Sequence, residues 1–177
     1  MEYNLLATTE KITMSGASSQ LWMNLRAIGD PEPKVNKTRI KGIVQGATKL
    51  DPIEAITLMR EHMHSEPDRY DKLYRIMPVL SWVDTGIEAI VAEVEAQRPK
   101  MGADESFRVT LEKRRTELRS LEVIKAVAAV IDNRVDLENP YWVVLVEIMG
   151  RCTGVSIVRP EALFNVQKER AALIFSG

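Results

Sequence analysis

Between Phe107 and Val146 the chain lays down three segments that leave few folds open. Phe107, Val109 and Leu111 alternate with Arg108, Thr110 and Glu112, the two-residue period of a strand with one buried face. Leu121 to Ile131 is apolar around much of its circumference, so the expected helix is sandwiched. Trp142 to Val146 is a continuous apolar run ending in Glu147-Ile148, as in a central strand covered on both faces. A half-buried strand, a helix and a fully buried strand in succession require a layered sheet with helices packed on it.

The flanking segments extend this pattern. On the N-terminal side, Tyr3 to Thr8 reads as a strand and Gln20 to Ile28 as a helix entered from the small-residue loop 13–19 with a Ser cap. Val35 to Thr48 reads as β structure interrupted at Gly42 and Gly46. Asp51-Pro52 opens a helix whose stripe is Ile53, Ile56, Met59 and Met63, and Tyr74 to Val83 reads as one closing strand. A second unit starts at Asp84-Thr85-Gly86 with a helix carrying Ile87, Ile90, Val91 and Val94, stopped by Pro99. It ends in the strand Val155 to Val158. The expected class is α/β of the α+β type, in two units.

Charge narrows the functional classes. The 177 residues carry 24 basic and 25 acidic side chains, so no global field draws the chain to nucleic acid. Any such site must be local, and two segments qualify. Residues 34–50 hold Lys34, Lys37, Arg39, Lys41 and Lys49 without an acid. Residues 107–119 hold Arg108, Lys113, Arg114, Arg115 and Arg119 against Glu112 and Glu117. The triplet Lys113-Arg114-Arg115 lies just before a helix expected to begin near Ser120, which sets dense positive charge beside unpaired backbone donors. Lys37, Arg39 and Lys41 alternate along the expected strand and would share a face.

Other chemistries find little support. The one cysteine, Cys152, excludes a disulfide or a cysteine zinc site within the chain. With no long apolar run and no signal-type leader, a reducing, cytoplasmic setting without a membrane is expected. His62 and His64, two apart on a helix, point about 200° from one another and do not chelate one metal. Gly42 to Lys49 fails the nucleotide-binding loop because Lys49 does not directly follow the second glycine. No cofactor or metal is expected.

The strand with its basic exit, the Ser120 helix, Val135-Asp136-Leu137-Glu138-Asn139-Pro140, Val146-Glu147-Ile148, Gly150 and Gly154-Val155 together resemble a THUMP domain, an RNA-binding module of tRNA-modifying proteins. The resemblance implies a THUMP domain over 85–166, a ferredoxin-like domain over 1–84 and a tail over 167–177. Turn chemistry explains every residue of the VDLENP hexapeptide, which identifies the domain without needing to touch RNA. Ser15-Gly16-Ala17-Ser18-Ser19 lacks the second Gly and the Asp of the phosphate loop in THUMP-bearing thiouridylating enzymes, and reads as a helix cap.

By the same resemblance, a short THUMP protein without a catalytic domain is a non-catalytic adaptor that grips the acceptor-stem end of tRNA for a separate RNA cytidine acetyltransferase. Lys113, Arg114, Arg115 and Arg119 are then the first candidate contacts, with Arg151 as a second edge and Lys37, Arg39 and Lys41 as a further stripe. No DNA partner is implied. A minimal RNA-modifying enzyme and an RNA-binding assembly protein unrelated to modification remain open.

Overall fold

The computed structural model describes residues 3–176, so residues 1, 2 and 177 of the expected domain bounds lie outside the described residues. The chain divides into two compact units. One runs up to Pro78 and resumes at Glu161, while the other is Val79–Pro160.

The first unit follows the order β1 (Leu5–Thr8), α1 (Met14–Ala27), β2 (Lys34–Lys37), β3 (Ile43–Ala47), α2 (Pro52–Ser65) and β4 (Arg75–Pro78). Its sheet runs β2-β3-β1-β4 with every pair antiparallel. That is the split βαβ arrangement used by ferredoxin-like folds. Asp51 opens α2 as expected, its Oδ1 accepting the Ile53 and Glu54 N–H groups at 3.0 Å. Ile56, Met59 and Met63 are buried with Leu5, Ala7, Val44 and Ile76, whereas Ile53, the first residue of the expected stripe, is 37% exposed.

Helix α1 begins at Met14, six residues earlier than expected. The small residues taken for a capping loop are inside it. Ala17 is fully buried, and Ser18 bonds back to the Met14 carbonyl instead of capping.

The C-terminal segment is a working part of this unit, not a tail. Phe164 forms an antiparallel bridge with Ile76 on the outer side of β4, and α5 (Val166–Phe175) follows with Asn165 as its cap. Phe164 and Val166 are buried in the core, and Arg60 of α2 pairs with Glu169 at 2.7 Å. The sequence over 167–177 has too little amphipathic period to announce a helix. Its anchors lie just before it.

The second unit contains β5 (Ser81–Asp84), α3 (Ile87–Gln97), β6 (Phe107–Arg114), α4 (Ser120–Ala129), β7 (Trp142–Met149) and β8 (Cys152–Val158). Its sheet runs β5-β8-β7-β6; β6 and β7 are parallel and the other pairs antiparallel. The single strand expected over 74–83 is in fact two. β4 ends at Pro78, while β5 pairs Trp82 with Gly154 in the second sheet, which moves the boundary from 84/85 to 78/79.

On one face, Ile90, Val94, Val123 and Val127 of the helices meet Phe107, Val144, Val146, Ile148, Val155 and Ile157 of the strands. Residues 143–148 of β7 are buried throughout, as the apolar run required. No helix of the described residues is long and apolar enough to cross a membrane.

Candidate nucleic-acid interface

Strand directions decide what meets at the edge of the second sheet. β5 is antiparallel to β8, β8 is antiparallel to β7, and β7 is parallel to β6. So β5, β6 and β7 point the same way and end on one rim at Asp84, Arg114 and Met149. Helix α3 starts just after the first of these and α4 just after the second, while the turn Gly150-Arg151 follows the third. The rim is tied together by the Gly150 N–H on the Arg114 carbonyl and the Thr85 N–H on the Arg151 carbonyl, both 2.9 Å.

The basic triplet splits at this rim. Alternation along β6 sends Arg114 to the face away from the helices, where its guanidinium pairs with the Glu147 carboxylate. The two side chains are 19% and 2% exposed. A carboxylate buried that deeply needs its cation, so Arg114 serves the fold and its charge is already answered. Sequence reasoning grouped it with the RNA contacts because neither register nor burial is visible in a run of three cations.

Lys113 lies on the opposite face, exposed, with Nζ donating to the Leu118 carbonyl at 3.0 Å. That bond folds the loop 115–119 back toward the strand and leaves two ammonium protons for another acceptor. Arg115 is exposed at φ +54, a left-handed conformation that turns the chain sharply off the strand end. Gly150, at φ +69, makes the companion turn. Arg119 is the extended N-cap residue of α4 and is exposed; no side chain caps that helix, and none caps α3. Arg151 is exposed in the β7–β8 turn.

Lys113, Arg115, Arg119 and Arg151 are therefore brought to one rim. Glu88 and Glu122 stand in the first turns of α3 and α4, so they already answer the helix dipoles. The attraction for an anion here rests on the ammonium and guanidinium groups, which also supply directed donors. Thr85, at the expected start of α3, does not cap it; its hydroxyl meets that of buried Thr153 at 2.8 Å instead.

Lys37, Arg39 and Lys41 belong to the first unit and do not alternate along a strand. β2 ends at Lys37, whose Nζ donates to Ser15 Oγ at 3.1 Å. Arg39 and Lys41 lie in the β2–β3 turn, closed by the Thr38 N–H on the Ile43 carbonyl and by the Thr38 hydroxyl. Gly42 at φ +87 completes it, which is the reason the β structure is interrupted there. The three form an exposed basic turn, not a stripe.

At the far end of the second sheet the VDLENP turn is held by its own chemistry. Asp136 Oδ1 accepts the Glu138 and Asn139 N–H groups at 3.1 and 2.9 Å, and Val135 forms a bridge with Phe107. The bond from the Asn139 N–H, against a smaller opposing effect of desolvation, holds the Asp136 carboxyl below its ordinary pKa. Ser106 Oγ accepts the Tyr141 N–H, and the Arg159 guanidinium stacks 3.6 Å from the Tyr141 ring centre. His62 is also structural: Nδ1 meets the Tyr70 hydroxyl at 2.9 Å, and burial lowers its pKa. No cluster of metal-ligating side chains occurs among the described residues.

The THUMP domain family model matches residues 86–158. Residues 86–158 are a THUMP domain. The domain is an RNA-binding module, and the cationic rim lies within it. No curated protein matches the chain. Solved structures share its fold at low identity. PH1313 from Pyrococcus horikoshii Ot3 is 18% identical with a TM-score of 0.68, covering 89% of this chain and 54% of that one. TrmN from Thermus thermophilus is 20% identical with a TM-score of 0.58, over 90% and 47%. A 4-thiouridine synthetase solved with RNA and bound ATP is 15% identical with a TM-score of 0.53, over 90% and 42%. The chain spans about half the length of these structures.

Proposed function

We propose that the chain is a non-catalytic tRNA-binding adaptor, gripping the acceptor-stem end of tRNA and presenting it to a separate modifying enzyme, an RNA cytidine acetyltransferase. The observation that carries the reading is the gathering of Lys113, Arg115, Arg119 and Arg151 on one rim of the THUMP domain. Backbone contacts of this kind suit A-form RNA, whose deep major groove hides its bases. The company of a 4-thiouridine synthetase in complex with RNA supports a place in tRNA modification. The adaptor and acetyltransferase parts rest on the resemblance of the chain to such adaptors, and the setting proposed is cytoplasmic.

Two measurements test it. Charge reversal at Lys113, Arg115 and Arg119 abolishes retention of tRNA on the immobilised protein; unchanged retention removes the site. Incubation of the purified protein with tRNA and acetyl-CoA yields no acetylated nucleoside until the partner enzyme is added. Turnover by the protein alone would make it a minimal RNA-modifying enzyme instead.

A further inference from the structure

Among the described residues, three of the four outer sheet edges are short or covered, and one is neither. β2 has four residues with lysine at both ends, β5 has four residues, and the outer side of β4 is met by Phe164. β6 has eight residues, and among the described residues its outer backbone is engaged at Phe107 alone, whose N–H and C=O meet the Arg134 carbonyl and the Asp136 N–H. Backbone direction alternates along a strand, and the Arg114 carbonyl faces inward to Gly150. Val109, Leu111 and Lys113 consequently turn their N–H and C=O groups outward. No strand of the described residues pairs with them. A long open edge of this kind is a template for another strand.

The side chains of β6 indicate which strand fits. With a second copy laid antiparallel about a two-fold axis at Leu111, Leu111 faces Leu111, Val109 faces Lys113, and Thr110 faces Glu112 twice over. Each outward-facing pair exchanges two backbone bonds, and each Thr110 hydroxyl can donate to a Glu112 carboxylate. Arg108 then faces Arg114, whose charge Glu147 already answers. Parallel pairing in register would instead set Glu112 against Glu112 and Lys113 against Lys113, which is unfavourable.

We infer that β6 is the edge across which two copies of this chain associate, antiparallel and centred on Leu111, into one eight-stranded sheet. The antiparallel arrangement sends the two cationic rims to opposite ends of the joint sheet. Each then remains open to its own RNA, so the inference does not depend on what the rim binds.

Sedimentation velocity over a range from low micromolar to several hundred micromolar tests it, with far-UV circular dichroism confirming that each variant is folded. The wild-type chain shows a concentration-dependent monomer–dimer equilibrium. Thr110→Glu, which opposes Glu112 of the second copy, weakens it about tenfold or more, while Thr110→Lys tightens it about fivefold. Wild-type protein that stays monomeric throughout overturns the proposal. So does a dimer whose dissociation constant neither substitution moves, because that dimer forms elsewhere, as does an edge that captures only a foreign peptide.

Discussion

The two ends of the second sheet are made from similar residues put to opposite uses. At the rim, Lys113, Arg115, Arg119 and Arg151 are exposed, and the backbone bends through Arg115 and Gly150 to let the chain turn. At the far end the polar groups are consumed locally. Asp136 takes two backbone N–H groups, Arg159 lies on Tyr141, and Glu105 accepts the Trp142 indole N–H at 3.1 Å. A charged side chain says little about function by its type. What separates the two ends is how far the fold leaves each charged side chain exposed: Lys113, Arg115, Arg119 and Arg151 are exposed, while Glu105, Asp136 and Arg159 are half-buried.

Arg114 sits at the rim yet, like the polar groups of the far end, is held within the fold by its pairing with Glu147. Arg114→Ala takes the paired guanidinium away from buried Glu147 and should cost about 3 kcal/mol of stability, measured by urea unfolding, while tRNA affinity of the folded fraction stays close to wild type. A stable variant that lost RNA binding would return Arg114 to the interface. Next comes the combined reversal of Lys113, Arg115 and Arg119 to Glu. It should lower tRNA affinity by about a hundredfold near 0.1 M salt and flatten the slope of log K against log salt by about two or more. Its unfolding midpoint should barely move, since these side chains are exposed.

Asp136→Ala should reverse that outcome on a smaller scale. The melting temperature falls by about 2–4 °C with the turn's support gone, while RNA binding by the folded protein is retained. An equal loss of both would mean that the hexapeptide contacts RNA. The smallest effect concerns pH. Asp136 and Glu105 are both held below their ordinary pKa, Asp136 first by the Asn139 N–H bond and Glu105 first by the Trp142 N–H bond. Groups with a depressed folded-state pKa stabilise above the unfolded value and lose that contribution as the pH falls through the folded one. Acidification below about pH 4 should therefore loosen the far end before the rim, seen as faster hydrogen exchange at the Glu138 and Asn139 amides. Exchange that rose first at Gly150 would contradict this.

Legibility in the sequence followed the distance over which each feature is set. The period of Phe107, Val109 and Leu111, the run Trp142–Val146 and the Asp51 cap are local patterns, and the structure carries all three. The division of 74–83 into β4 and β5 was invisible because it depends on partners some seventy residues further on, such as Gly154. The fate of Arg114 was hidden for a similar reason, since Glu147 reaches it only across the parallel pair β6–β7. Arg39 and Lys41 alternate as a strand would, but the Thr38 turn claims the backbone before side-chain period can matter.

The return of residues 161–176 to the first unit has a consequence for how the chain is made. Everything in Val79–Pro160 has been synthesised before Phe164 and Val166 exist, although these two are buried in a core whose other members come from residues 5–76. Domains tend to fold as units while the chain emerges. Here the THUMP domain, second in order along the chain, is the first that can be complete. The N-terminal core must wait until Phe164 and Val166 have been translated, with part of its apolar surface open, which makes that interval its period of greatest exposure to proteolysis and misassociation.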